Sequence, residues 1–212
     1  HIHPREGQFE FGAADQFVAF GEQHGMFIVG HTLVWHSQTP RWVFEKSPGQ
    51  PADRDTLLLR MSNHIHTVVG RYKGRVKGWD VVNEALNEDG TLRQSPWRRI
   101  IGEDYLVKAF EFAHQADPAA ELYYNDYSLE NPGKRKGAVD LITKLKAAGA
   151  PITGIGTQMH VRLDSPEPEL VDATLTEFSK LGIKIMVTEL DVDVLPSRSF
   201  DRSADVSRRE AA

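Results

Sequence analysis

The sequence predicts an α/β chain of repeated strand–helix units, and three observations carry that expectation. Near-continuously apolar runs alternate along the 212 residues with segments of helical amphipathic spacing. Polar and aromatic residues gather at the C-terminal end of each apolar run, and no glycine-rich phosphate loop follows the first of them. Right-handed crossovers joining such units give either an open doubly wound sheet or a closed (β/α)₈ barrel. An open sheet concentrates ligand groups at one switch point, whereas a barrel draws its site from the ends of many strands. The spread of polar strand ends favours the barrel.

A first short helix fits residues 13–24, and residues 26–35 (MFIVGHTLVW) then read as a buried strand. After a loop at 37–51, residues 53–73 set Leu57, Leu58, Met61, Ile65, Val68, Val69 and Tyr72 on one helical face, with Asp53 as N-cap. A strand over 76–84 leads into a second loop at 85–102. The two loops carry Pro40, Trp42, Pro96 and Trp97 and are expected to wall a cleft. Residues 103–116 repeat the helical spacing with Leu106, Ala109, Phe110 and Ala113 until Asp117-Pro118 stops the helix. Strands follow over 121–128, 152–161 and 184–192. Helices over 134–148 and 167–181 separate them, ended by Gly149 and Gly182 at C′ positions. Parallel strands covered on both faces have this nearly unbroken apolar character.

At 40% hydrophobic and 26% charged residues the composition is that of a globular chain, and its length fits one domain. Twenty-five basic against 30 acidic residues give a formal charge of −5 with no basic stripe, which argues against a nucleic-acid partner. No apolar run approaches the roughly 20 residues of a membrane span. Without cysteine there is no disulfide framework and no thiolate metal site. The start, His1-Ile2-His3-Pro4, is neither an initiator methionine nor a signal peptide and reads as a ragged end.

The chemistry lies at two strand ends. Trp79-Asp80-Val81-Val82-Asn83-Glu84-Ala85-Leu86 closes an apolar run on an amide beside a carboxyl. Lys184-Ile185-Met186-Val187-Thr188-Glu189-Leu190-Asp191 repeats the design about a hundred residues later. Two carboxyls at the mouths of two strands suit glycoside hydrolysis, in which one holds and donates a proton while the other stays ionised.

With Gly30-His31-Thr32-Leu33-Val34-Trp35-His36 and Ile155-Gly156-Thr157-Gln158-Met159-His160, these runs make four motifs in order. Together the chain resembles glycoside hydrolase family 10, retaining endo-β-1,4-xylanases on a (β/α)₈ barrel, from about residue 2 to 196. The resemblance implies Glu84 as general acid/base and Glu189 as nucleophile. It implies Asn83 as partner of the sugar 2-hydroxyl, and His160 as a hydrogen-bond partner of the nucleophile with Asp191 behind it. His31, Trp35 and Gln158 would line the subsite of the reacting sugar, and Asn125 and Tyr127 would lie toward the leaving group. Trp35, Trp42 or Trp97 could stack on a pyranose. No metal or organic cofactor is implied. The partner would be xylan or xylo-oligosaccharides, the full barrel a monomer, and substrate logic places such an enzyme outside the cell.

The family barrel has eight strands, whereas five are legible here, corresponding to its third to seventh. The expectation is therefore a partial catalytic barrel over 1–196, with open apolar sheet edges, and a truncated loop or tail over 197–212. Rival readings are a retaining β-1,4-glucanase on the same barrel and an inert sugar-binding fragment. Outside the motifs, the expectations are plain. Trp79 is expected in the core and His64 and His66 as surface or packing residues, and His31 with His36 is a poor metal pair. The runs Arg98-Arg99 and Lys134-Arg135-Lys136 are expected as solvated helix starts or loops.

Overall fold

The computed structural model describes residues 2–194; the tail expected over 197–212 lies outside them. Five parallel strands form the central sheet: β1 (Val29–Trp35), β4 (Gly78–Asn83), β5 (Glu121–Asp126), β6 (Gly154–Thr157) and β8 (Lys184–Val187). Their spatial order, β1-β4-β5-β6-β8, is their chain order. Every crossover thus steps the same way to the adjacent strand. With right-handed connections that places the helices on one face, as in a barrel wall, and leaves no point where the order reverses. β4 is buried along its whole length.

The helices are α1 (Gly12–Gln23), α2 (Arg54–Arg71), α3 (Pro96–Ile101), α4 (Tyr105–Ala116), α5 (Pro132–Ala147) and α6 (Pro168–Ser179). Asp53 caps α2 by accepting from the Thr56 amide at 2.8 Å, as its position before the helix demands. Leu57, Met61, Ile65, Val68 and Val69 of α2 are buried, and α2 packs on β1 and α4. Bidentate pairs Arg71–Asp15 and Arg75–Glu22 tie α2 and the turn after it to α1. One continuous core runs from Val18 to Phe178 and includes Trp79.

Four expectations need correction. The strand expected over 152–161 is two: the chain leaves the sheet after Thr157, turns through Met159 in a left-handed conformation (φ 62°) and starts β7 (His160–Arg162). The strand expected over 184–192 divides likewise into β8 and β9 (Asp191–Asp193), and β7 pairs with β9 in parallel, setting His160 opposite Asp191. The loops also hold structure. A hairpin of β2 (Glu45–Ser47) and β3 (Gln50–Pro51) lies in the first. In the second, α3 has Ser95 as its N-cap and Pro96 at its first position. His3 is not a ragged end. It stacks on Phe9 and lies edge-on to Trp42, with its Nδ1 3.2 Å from Nδ1 of His64.

Candidate active site

The C-terminal mouths of β1, β4, β5, β6 and β8 converge, and the backbone there is unusual. Four non-glycine residues adopt left-handed conformations: Gln38 (φ 51°), Glu84 (57°), Ser128 (51°) and Met159 (62°), each one to three residues beyond a strand. Such conformations cost on the order of 1 kcal/mol or more each and cluster where side chains are aimed at a task. Around Glu84 the cost is offset locally. Arg93 Nε donates to the Glu84 carbonyl at 3.1 Å and Arg93 Nη2 to the Leu86 carbonyl at 2.9 Å.

The Glu84 carboxyl takes three hydrogen bonds. Trp35 Nε1 donates to Oε2 at 2.9 Å, while Asn83 Nδ2 and Gln158 Nε2 donate to Oε1 at 3.1 and 3.2 Å. Glu189 is held by different residues: Asn125 Nδ2 lies 2.8 Å from Oε1 and His160 Nε2 3.1 Å from Oε2. Asn83 joins the two halves, because its Oδ1 accepts from both Asn125 and Gln158 at 3.0 and 3.3 Å. Thr188 Oγ1 donates to Asn125 Oδ1 at 2.7 Å and fixes that amide's orientation. Gly156 makes the arrangement possible, since a Cβ there would stand 2.5 Å from Asn125 Oδ1.

His160 Nδ1 is 2.9 Å from Asp191 Oδ2. A neutral imidazole has one N–H and can donate to only one of these two carboxylates, whereas an imidazolium satisfies both. Burial alone would lower the His160 pKa, but the hydrogen bonds to Asp191 and Glu189 outweigh it and raise the value. His31 forms a second pair on the opposite flank, with Nδ1 2.9 Å from Asp80 Oδ2 and 3.8 Å from Glu189 Oε1. Its pKa is likewise raised against the effect of burial, by Asp80 first and then Glu189. Burial raises the Asp80 carboxyl in turn, and its Oδ1 is buried without a hydrogen-bond partner. Among the described residues His31, Asp80 and Glu189 are the grouping that could offer a cation three ligand atoms, all within 4.8 Å of one another, though Nδ1 and Oδ2 already bond to each other.

Most of the residues singled out from sequence therefore meet. Glu84, Glu189, Asn83, Gln158, His160, Asp191, His31 and Trp35 form one connected network. Asn125, expected toward the leaving group, is fully buried between Asn83 and Glu189. Tyr127 stays half-buried at the other side of β5's end, its hydroxyl 3.5 Å from Arg93 Nη2. Trp97 lines the cavity beside Trp42 with little of its surface exposed, 4%, and donates from Nε1 to the Trp35 carbonyl at 2.8 Å, so it also braces the tryptophan that touches the carboxyl. Trp42 is partly buried, with an unpartnered Nε1, beside a cavity of about 240 Å³ that reaches His31 and Trp35.

Asp80, Arg93 and Lys134 were missed. Asp80 had a signal, a charge within an apolar strand. Lys134 had none, being one of three adjacent basic residues, yet it is wholly buried rather than solvated. Arg98 also turns inward in part, donating to the Leu92 carbonyl at 2.8 Å.

The sequence profile of Glycosyl hydrolase family 10 matches residues 1–211. Endo-1,4-beta-xylanase A of Xylanibacter ruminicola is 48% identical over 207 residues, which are 98% of this chain and 56% of that protein. A GH10 endoxylanase retrieved from sugarcane soil metagenome superposes with a TM-score of 0.90 at 48% identity, covering 92% of this chain and 58% of that one. TsXylA, the intracellular xylanase of Thermoanaerobacterium saccharolyticum solved as a mutant with xylotetraose, gives 0.89 at 43% identity over 98% of this chain and 67% of its own. The chain thus spans a little over half to two thirds of the length of these proteins.

Proposed function

The chain belongs to glycosyl hydrolase family 10, and we propose that it carries the catalytic centre of a retaining endo-β-1,4-xylanase. One observation supports the reading above others: two carboxyls, one beyond β4 and one beyond β8, are held by different donor sets joined through Asn83. Glu84 protonates the glycosidic oxygen while Glu189 attacks the anomeric carbon, the C1–O bond breaks, and the leaving sugar departs as an alcohol. Glu84, now a carboxylate, takes a proton from water as that water attacks C1 and releases Glu189.

The surrounding residues act on these two steps. His160, backed by Asp191, and the Asn125 amide hold Glu189 aimed. Trp35 and Gln158 aim Glu84. Asn83 has one N–H directed at Glu84 and a second for the 2-hydroxyl of the reacting sugar. The substrates are xylan and xylo-oligosaccharides, and a polymer of that size places the enzyme where it meets its substrate outside the cell. The mechanism draws on no metal or organic cofactor.

The test is product release from xylan beside carboxymethylcellulose, with Glu84→Gln and Glu189→Gln as controls. Xylo-oligosaccharides from xylan alone, lost in both variants, are expected. Comparable release from carboxymethylcellulose would favour a glucanase, and tight sugar binding without release an inert fragment.

A further inference from the structure

The structure carries one buried charge that the two carboxyls do not use. Lys134 lies in the first turn of α5, and its side chain is 0% exposed. Its Nζ is 3.0 Å from Asp126 Oδ1, 3.3 Å from Glu88 Oε1 and 3.4 Å from the centroid of the Tyr127 ring. The three ammonium hydrogens thus have three partners.

Stability does not explain this lysine. A cation in the first turn faces the positive end of the helix dipole. A buried ion pair is also commonly no more stabilising than apolar side chains of the same volume. What the ammonium does is fix geometry. Asp126 accepts from the Tyr127 amide at 2.9 Å and from the Tyr124 hydroxyl, so it cannot move toward another partner. Glu88 sits on the loop after β4, which is fastened to α5 backbone against backbone; a Cβ on Gly137 would stand 2.3 Å from the Gly90 carbonyl oxygen. At the far end of the ring the Tyr127 hydroxyl touches Arg93, which also holds the Glu84 carbonyl. Tyr127 is therefore gripped by its backbone, one ring face and its hydroxyl, and is linked mechanically to the carboxyl that delivers the proton.

We propose that Lys134 is a positioning residue for the leaving-group half of the cleft, holding the Tyr127 ring as the platform on which the departing sugar rests. The proposal rests on the glycosidase reading above. A sugar that leaves unactivated must be held while Glu84 protonates it, so the platform matters in the first step. It has no part in the second, when that sugar has gone.

The test compares Lys134→Met with the unchanged chain on xylotetraose and on a dinitrophenyl β-xylobioside. A desolvated cation–π contact is worth enough to expect a fall of about tenfold or more in kcat/KM on xylotetraose. On the aryl substrate kcat, limited by the second step, should change less than about twofold. Lys134→Met with Asp126→Asn removes both charges of the buried pair if the single change leaves the aspartate unpaired and unfolds the chain. Adding Lys134→Met to Tyr127→Leu should cost nothing further. Equal losses on both substrates, no loss on either, or an additive loss in the Tyr127→Leu background would overturn the proposal alone. An unchanged chain that turns over neither substrate would overturn the glycosidase reading and this one with it.

Discussion

Glu84 and Glu189 differ in their neighbours more than in their exposure. Glu84 is surrounded by neutral donors, Trp35, Asn83 and Gln158, whereas Glu189 faces two histidines, each backed by an aspartate. Removing the first should therefore depend on the substrate. Glu84→Ala is expected to slow xylotetraose by at least about a hundredfold and activated aryl glycosides far less, since only the former needs the proton. Equal losses, measured as kcat/KM, would contradict the acid role. His160 is expected to contribute to the basic limb of the pH profile. Its pKa is raised, so the imidazolium persists above the ordinary 6.5 and is lost as pH rises through the raised value, taking a donor from Glu189. Activity should fall there, and His160→Gln, which keeps one donor without titrating, should move or flatten that limb of the pH profile. An unchanged profile would exclude the histidine. At this scale the sequence was informative for most residues of the four motifs, though not for Asp80, whose partner His31 lies on another strand. It was uninformative for Lys134 and Arg93, whose partners lie on other elements at separations no local pattern encodes.

Elements with strong periodicity and caps were legible from residues alone, α2 most fully, because Asp53 and the buried row from Leu57 to Val69 act locally. Strand ends were not. Nothing in residues 152–161 marks Met159 as a left-handed turn, and β7 exists only because β9 comes to lie beside it. That unread break is what brings His160 against Asp191. Helix α2 also carries a pH-sensitive element outside the site. His64, packed beside His3 and Phe9, is held down to about 4 by burial and then by the charge of His3. With its folded value below the 6.5 of a free histidine, the stability it supports is fully present above pH 6.5 and is lost as pH falls toward 4. The loss amounts to about 3 kcal/mol at most. Urea midpoints should drop over that window, and His64→Leu should flatten the drop. A pH-independent midpoint in the unchanged chain would show that the imidazole is not held neutral.

Across the whole molecule the polar and apolar surfaces are unevenly placed. Among the described residues the sheet ends on β1 and β8. Near these edges large apolar side chains face solvent: Phe17, Phe20, Met26 and Phe27 on one side, Val187, Leu190, Val192 and Val194 on the other. Unpaired edges flanked by such residues invite pairing between chains. Gel filtration of this chain should show association that grows with concentration. A single monomer peak that holds as the concentration is raised would contradict that expectation. The sequential strand order and the convergence of five strand mouths were readable in advance, since both follow from alternating units and polar strand ends. The central claim is that Glu189 attacks the sugar, and covalent trapping tests it most directly. Incubation with a 2-deoxy-2-fluoro xylobioside bearing a good leaving group, followed by peptide mass spectrometry, should find the glycosyl group on Glu189 and nowhere else. A label on Glu84 would contradict the assignment of roles, and turnover with inverted anomeric configuration and no label would contradict the double displacement itself.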